Sequence, residues 1–375
     1  MNSESKRTVV QVLPALTTGG VERGVIDLSK ELLEKGFRPL IISAGGELAS
    51  ELNDLKIKHI PLEIGRKRLS TFLMIRKLSE VFLHEEVNII HARSRLPAWI
   101  SKFALNRIKK KRKISWLTTV HGPYTVNFYS RIMTSGDIVI AVSDFIKNYI
   151  INNYDIDPKK IITIPRGVDI TKYHPGYKPD KSWFDSLHLR EQWSIEKPIL
   201  TLPARLTRWK GQEQFIDLLF KLKNRGFEFH GLIVGGAHKN KTEYGRFLQR
   251  KVATLGLSDH ISILGNRKDL RQIMAISSIT FSLTQKPEAF GRTTVESLSL
   301  GIPVIGYNHG GTGEILKKWF PIGLVKPFMI DEAVDKVALF LQSPQIVPFK
   351  NPFPLQNMLD STLNIYNKLS DAKNK

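Results

Sequence analysis

Short β-branched runs alternate with helical patterns along almost the whole chain. In the first half the strand candidates are "TVVQVLP" (8–14), "PLIIS" (39–43), "KHIPL" (58–62), "NIIHA" (88–92), "SWLTTV" (115–120), "IVIAVS" (138–143) and "IITIP" (161–165). Helical patterns lie between them. In "GVIDLSKELLEKG" the apolar positions Val25, Leu28, Leu32 and Leu33 recur near a 3.6 period, and Gly36 is a C-terminal signal. Strand–helix–strand alternation predicts a doubly wound parallel α/β sheet.

After "PRGVDITKYHP" the pattern breaks. Residues 175–197 carry prolines, tryptophans and charges without a clean period, and read as an inter-domain connection with one short helix. Alternation restarts with "PILTLPA" (198–204), "FHGLIVGG" (229–236), "HISILG" (260–265), "SITFSL" (278–283), "PVIGY" (303–307) and "GLVKP" (323–327). The expected division is an N-terminal domain over 1–175, joined by a terminal amphipathic helix over 355–375, and a C-terminal domain over 176–354. Two such halves predict a cleft with ligands at strand C-terminal ends.

Composition narrows this picture. The 375 residues include no cysteine, which excludes disulfides and Cys-ligated metal sites. The start reads as a short polar tail rather than a signal peptide, and no run of about 18 apolar residues suggests a spanning helix. The net charge of +21 favours an anionic partner. From Val87 to Gly136 there is no Asp or Glu, while Arg93, Arg95, Lys102, Arg107, Lys109, Lys110, Lys111, Arg112, Lys113 and Arg131 all fall there. Such a window is either a solvated basic surface or a docking face for anionic lipid or a phosphorylated acceptor. Charge alone would also allow nucleic acid, but no aromatic-interleaved basic strand or recognition helix accompanies it, so no nucleic-acid partner is expected.

Several short stretches could carry chemistry. In "TTGGVERG", Gly19 and Gly20 open the first helix and suit either a tight turn or an anion; the spacing is not that of a nicotinamide site. In "PARLTRWKGQEQF", Arg205 and Lys210 follow a strand, where two fixed cations suit a diphosphate. His121 in "VHGPY" ends another strand, as a substrate contact or a structural histidine. The stretch "PEAFGRTTVE" brackets a helix start near Arg292–Thr293 with Glu288 and Glu296. A glycosidase pair would flank its bond at about 5–9.5 Å, yet nothing nearby marks a long sugar groove. "DID" (155–157) reads as a turn, so no metal site is expected.

Together these motifs resemble the retaining glycosyltransferases of family 4, whose GT-B architecture sets two Rossmann-like domains facing each other across a cleft. The matching parts also include "IPRGVDITKYHP", "LIVGG" and "PEAFGRTTVESLSLGIPVIGYNHGGTGEIL", and span nearly the whole chain. The resemblance implies a metal-independent, hexosyltransferase-type enzyme using a nucleotide-diphosphate-sugar as co-substrate. Arg205 and Lys210 would bind the diphosphate, with Gly19, Gly20 and the backbone of Phe290, Gly291, Arg292 and Thr293 completing the cradle. Glu296 would hold the ribose, Glu288 the donor sugar, His121 the transferred sugar, and Asn266 and Arg267 would border the base. The motifs look most like those of bacterial enzymes of lipopolysaccharide core or surface-glycan synthesis. That implies a lipid-linked or lipopolysaccharide-type acceptor, met by Arg93 and Arg95. The stretch Lys109–Lys113 would dock a monomeric, cytoplasmic enzyme on the inner face of the plasma membrane. The alternative is a nucleotide-sugar epimerase, or a sugar-phosphate synthase or phosphorylase, acting on soluble substrates.

Overall fold

Thirteen strands appear among the described residues, one for each predicted run. In this computed structural model the residues described are 6–17, 19–190, 196–236 and 242–371. The chain divides into two compact units, residues 1–165 with 356–375, and residues 166–355.

The first unit holds β1 (Thr8–Val12), β2 (Arg38–Ser43), β3 (Lys58–Pro61), β4 (Val87–Ala92), β5 (Ser115–Val120), β6 (Ile138–Ala141) and β7 (Ile161–Thr163). They form one parallel sheet in the order β3-β2-β1-β4-β5-β6-β7. Strands such as β1 and β5 are buried at every position, because helices cover both faces; that is why they read as continuous apolar runs. The helix Gly20–Glu34 packs Val25 and Ile26 against Leu13, Leu16 and Ile41. It ends before Gly36, whose φ of +79° needs glycine. The helix Leu355–Asp371 returns to this unit, where Tyr366 Oη meets His91 Nδ1 at 2.6 Å and Ser115 Oγ donates to Leu369 O. The first five and last four residues lie outside the described set.

The second unit holds β8 (Ile199–Pro203), β9 (His230–Val234), β10 (Ile261–Gly265), β11 (Ile279–Ser282), β12 (Val304–Tyr307) and β13 (Leu324–Val325), in the parallel order β10-β9-β8-β11-β12-β13. Both sheets reverse direction of growth beside their first strand, β1/β4 in one and β8/β11 in the other. Helices from the two sides leave a crevice at such a switch point, above the strand C-terminal ends.

The first compact unit runs to Pro165 before the chain passes into the second. Val168 accepts from Leu355 N at 2.9 Å and donates to Phe353 O at 3.0 Å, which ties residues 166–175 to the second unit. Of the stretch read as an inter-domain connection, residues 175–190 and 196–197 fall in that unit, and 191–195 lie outside the described residues. Its helix, Lys181–Arg190, buries Leu187 against Ile199 and Leu232, and Trp183 Nε1 donates to Asp269 at 2.8 Å.

Candidate active site

Two loops rise from the switch point of the second sheet. One follows β8 and carries Arg205 to Lys210; the other follows β11 and carries Glu288 to the helix Arg292–Ser299. Their parent strands are paired neighbours, Ile279 opposite Leu200, so the loops start about 4.8 Å apart.

Backbone constraints fix the first loop. Gly211 caps the helix Gln212–Asn224 at φ +84°, and a Cβ there would lie 2.1 Å from Leu283 O. Only glycine lets the two loops approach this closely. Gln285 N donates to Trp209 O at 2.8 Å, and buried Gln212 donates through Nε2 to Arg205 O at 2.9 Å. Arg205 is exposed and meets no carboxylate among the described residues. Lys210 turns inward over the Trp209 ring and donates to Glu288 Oε1, with the two side chains 16% and 13% exposed.

The second loop is held from below. Gly291, at φ +100°, precedes the helix and offers no side-chain cap. Phe290 is buried against Phe353. Thr293 is half-buried at the helix start. Glu296 is buried and takes a hydrogen bond from Arg292 Nε at 2.9 Å. Burial pushes the Glu296 carboxyl up, against the pull of the Arg292 guanidinium. Two buried hydroxyls in these loops, Thr207 Oγ1 and Thr284 Oγ1, lack a hydrogen-bond partner among the described residues. Unmet buried polar atoms of this kind are uncommon in folded proteins.

The structure adds residues that the sequence does not announce. His309 opens the helix Gly310–Trp319, its Nε2 lies 2.7 Å from Thr284 O, and burial lowers its pKa against the opposing pull of the Thr284 carbonyl and then of Glu288. Gly311 N donates to Glu288 O at 2.8 Å. A Cβ on Gly311 would stand 2.2 Å from Phe290 O, so this glycine seats the Glu288–Phe290 loop. The pair of glycines opening a helix after β12 repeats the Gly19–Gly20 arrangement and is the signal by which it could be found. Tyr173 is half-buried near Glu296, Arg292 and Arg271, and its phenol is pushed up by burial first and by Glu296 second.

Asn266 is exposed beyond β10, next to Gly236. Arg267 is committed elsewhere: Nε and Nη2 both bind Asp269, at 2.9 and 2.7 Å, and that grip holds the Asp269 carboxyl down at about 2. Its head group braces Asp269 at the end of β10.

In the first unit, Gly19 and Gly20 do open a helix, but the Glu22 carboxylate folds back beside Gly19 and brings its own negative charge to that turn. His121 is half-buried at the end of β5, and its backbone N–H donates to Tyr124 Oη at 3.3 Å. Arg95 lies between the Tyr124 and Tyr129 rings, at 4.8 and 5.2 Å, and reaches Ser130 Oγ at 3.2 Å.

The expectation that Arg93 meets an acceptor needs correction, and Arg112 has local partners. Arg93 is 4% exposed and donates to Gln11 Oε1, which braces the ends of β4 and β1; it does not present a cation at the surface. Arg112 spends its guanidinium on the carbonyls of Val87 and Glu86, at 2.9 and 2.7 Å, whereas Lys109, Lys110, Lys111 and Lys113 are exposed or half-exposed. Among the described residues no cluster of three or more His, Asp or Glu side chains could hold a metal ion. No helix among them is long and apolar enough to cross a membrane.

Two Rossmann-like sheets, with cations and carboxylates gathered at the switch point of the second, define a GT-B-type sugar-transferring enzyme. The comparisons with known proteins agree. Residues 18–172 match the model "Glycosyltransferase Family 4", and residues 185–351 match "Glycosyl transferases group 1". A glycosyltransferase from Rickettsia africae is 33% identical and superposes with a TM-score of 0.85, over 97% of this chain and 99% of that one. The Anabaena protein HepE, solved with UDP and glucose, shares the fold at 20% identity and a TM-score of 0.81, over 96% of this chain and 100% of that one. One component of the phosphatidylinositol N-acetylglucosaminyltransferase of Homo sapiens is 23% identical over 94% of this chain and 74% of that protein. The chain belongs to the family 4 glycosyltransferases and is a glycosyltransferase.

Proposed function

We propose that the second unit binds a nucleotide-diphosphate-sugar and that the enzyme transfers its sugar, with retention of configuration, to a lipid-linked or lipopolysaccharide-type glycan. The observation that carries the donor half is the pairing of the β8 and β11 loops, which brings Arg205, Lys210, Glu288 and Glu296 to one switch point. Arg205 and Lys210 neutralise the diphosphate, as cations fixed in a partly buried loop do best when charge develops on a leaving group. The helix start at Phe290–Thr293 faces the same anion. Glu296 accepts from the ribose hydroxyls and Glu288 from the sugar. The donor class is supported by the UDP and glucose bound to HepE.

The first unit is assigned the acceptor side, with His121 on the reacting sugar and Arg95 on an acidic or phosphorylated group. The lysines at 109–111 and 113 attract an anionic leaflet at about 1 kcal/mol each. A lipid acceptor is supported by the phosphatidylinositol named for the human relative. On this reading no resident metal takes part, so activity is expected to survive EDTA.

The test is a thermal-shift and calorimetric panel of UDP-, GDP- and ADP-sugars with their nucleotides, followed by transfer to lipid-extracted acceptors. One nucleotide series is expected to raise the melting temperature by mass action. No stabilisation across the panel would overturn the reading. Turnover without any lipid fraction would move it to a soluble acceptor.

A further inference from the structure

The segment Arg66–Leu73 of the first unit presents its apolar side chains to solvent. Leu69 is 89% exposed, Leu73 72% and Phe72 50%, while Thr71 is the one buried residue of the short helix Leu69–Leu73. The turn is closed on itself: Thr71 Oγ1 donates to Arg66 O at 2.6 Å, and Thr71 N to Arg68 O at 3.0 Å. The helix that follows, Met74–His84, buries Leu78 and Phe82 in the ordinary way. The outward leucines are therefore a local exception to the rule that apolar faces turn inward.

They are not isolated. Arg66, Lys67, Arg68, Leu69, Phe72, Leu96 and Tyr129 line one open depression of about 440 Å³. Beside it, Trp99 donates to Tyr129 O at 2.9 Å and stacks on Phe128 and Phe103, at 5.2 and 5.5 Å. Phe128 is 75% exposed. Along the helix Arg95–Ile108, positions 96, 99, 103 and 107 share one face. That face runs from the depression through Trp99 and Phe103 to Arg107 and on toward Lys110. Arg66 pairs with Glu63 at 2.9 Å, and Lys67 and Arg68 meet no carboxylate among the described residues. The result is a contiguous apolar platform edged by cations. Exposed apolar patches of this kind mark interaction sites.

We propose that this face is a bilayer-docking surface. Leu69, Phe72, Leu73 and Phe128 enter the boundary between headgroups and acyl chains, and Arg66, Lys67 and Arg68 meet anionic headgroups. The charge favours this occupant over a protein partner: the neighbouring chain from Val87 to Gly136 contains no acid, and the net charge is +21. An apolar face with a cationic rim is the physical signature of an interfacial anchor, because area burial and electrostatic attraction add. The proposal extends the reading of a lipid-borne acceptor. It differs from docking by Lys109–Lys113 alone, which needs charge and no insertion.

The experiment uses the full chain and flotation with phosphatidylcholine vesicles, with and without phosphatidylglycerol. The variants are Leu69→Ser with Leu73→Ser, Lys67→Glu with Arg68→Glu, and Lys109→Glu with Lys110→Glu. Melting temperature and donor stabilisation are measured on the same samples, so loss of the donor reading is scored separately. The wild type is expected to bind the anionic vesicles only. The leucine variant should lose about tenfold or more in vesicle affinity, with melting temperature and donor response kept. The Lys67/Arg68 variant should bind weakly, and less steeply with salt. Equal vesicle binding by the leucine variant and the wild type would overturn the proposal, as would equal binding to neutral vesicles. A wild-type dimer that the leucine changes make monomeric, with vesicle binding unaltered, would show a face for a second copy instead.

Discussion

Lys210 and Glu288 are expected to behave as one unit, although their places in the sequence suggest two separate ligand contacts. Their side chains are 16% and 13% exposed and directly hydrogen-bonded. Two unit charges 4 Å apart attract by about 4 kcal/mol at an effective dielectric constant of about 20. Desolvation takes back part of that, and removing one partner of a buried pair costs about 3–5 kcal/mol because the other charge is stranded. With some solvent access the lower end applies. Lys210→Met and Glu288→Gln should each destabilise the second unit by about 3 kcal/mol, and the double variant, which strands no charge, by no more than either alone, a coupling of about 3 kcal/mol or more. Urea unfolding of the four proteins without ligand, followed by near-ultraviolet signals of the second unit, measures the cycle. A second consequence follows from the same geometry. Glu288→Gln frees Lys210 for phosphate, so it should tighten a bare nucleoside diphosphate while weakening the nucleotide sugar. Additivity within about 0.5 kcal/mol, together with equal loss of both ligands, would refute the coupled-pair reasoning.

Three further expectations come from other parts of the site. Burial raises the Glu296 carboxyl, so its contribution to stability is present at low pH and is lost as pH rises through the raised value. Nucleotide binding runs the other way, because the carboxylate must accept the ribose hydroxyls; calorimetry between about pH 7 and pH 5 should show affinity falling on acidification, and Glu296→Gln should flatten the profile. Gly311→Ala would set a methyl group 2.2 Å from Phe290 O and unseat the Glu288 loop; we expect a loss of about 1–3 kcal/mol in stability and weaker donor binding, checked by unfolding and calorimetry. Arg267→Met removes both bonds to Asp269 and should lower the melting temperature, while changing nucleotide affinity by less than about twofold, since its head group is a brace.

The fold was legible because parallel strands buried on both faces spell themselves as short β-branched runs. Each of the thirteen appears within a few residues of its predicted span. The helix start at Arg292 was legible from Pro287 and Gly291. What escaped was whatever depends on where long side chains go after the backbone is placed. Lys210 and Glu288 stand 78 positions apart, and nothing local announces their pairing. Arg93 looked like a surface cation because arginine usually is one, yet it lies beneath strand ends and is held by Gln11. Arg267, by contrast, has its partner two residues on, and an Arg-x-Asp at a strand end could have been read as a local brace. Nothing in the sequence marks the short helix Leu69–Leu73 as exposed, because its leucines look no different from those of a buried face.

Everything proposed for the donor depends on its diphosphate sitting between the β8 and β11 loops of the second unit. Isothermal calorimetry of UDP, GDP and ADP against the wild type, Arg205→Ala and Arg95→Ala tests that placement most directly. The expected result is that one nucleotide binds the wild type, that Arg205→Ala weakens it by about tenfold or more, and that Arg95→Ala leaves it unchanged. Binding that survives Arg205→Ala but fails in Arg95→Ala would contradict the placement.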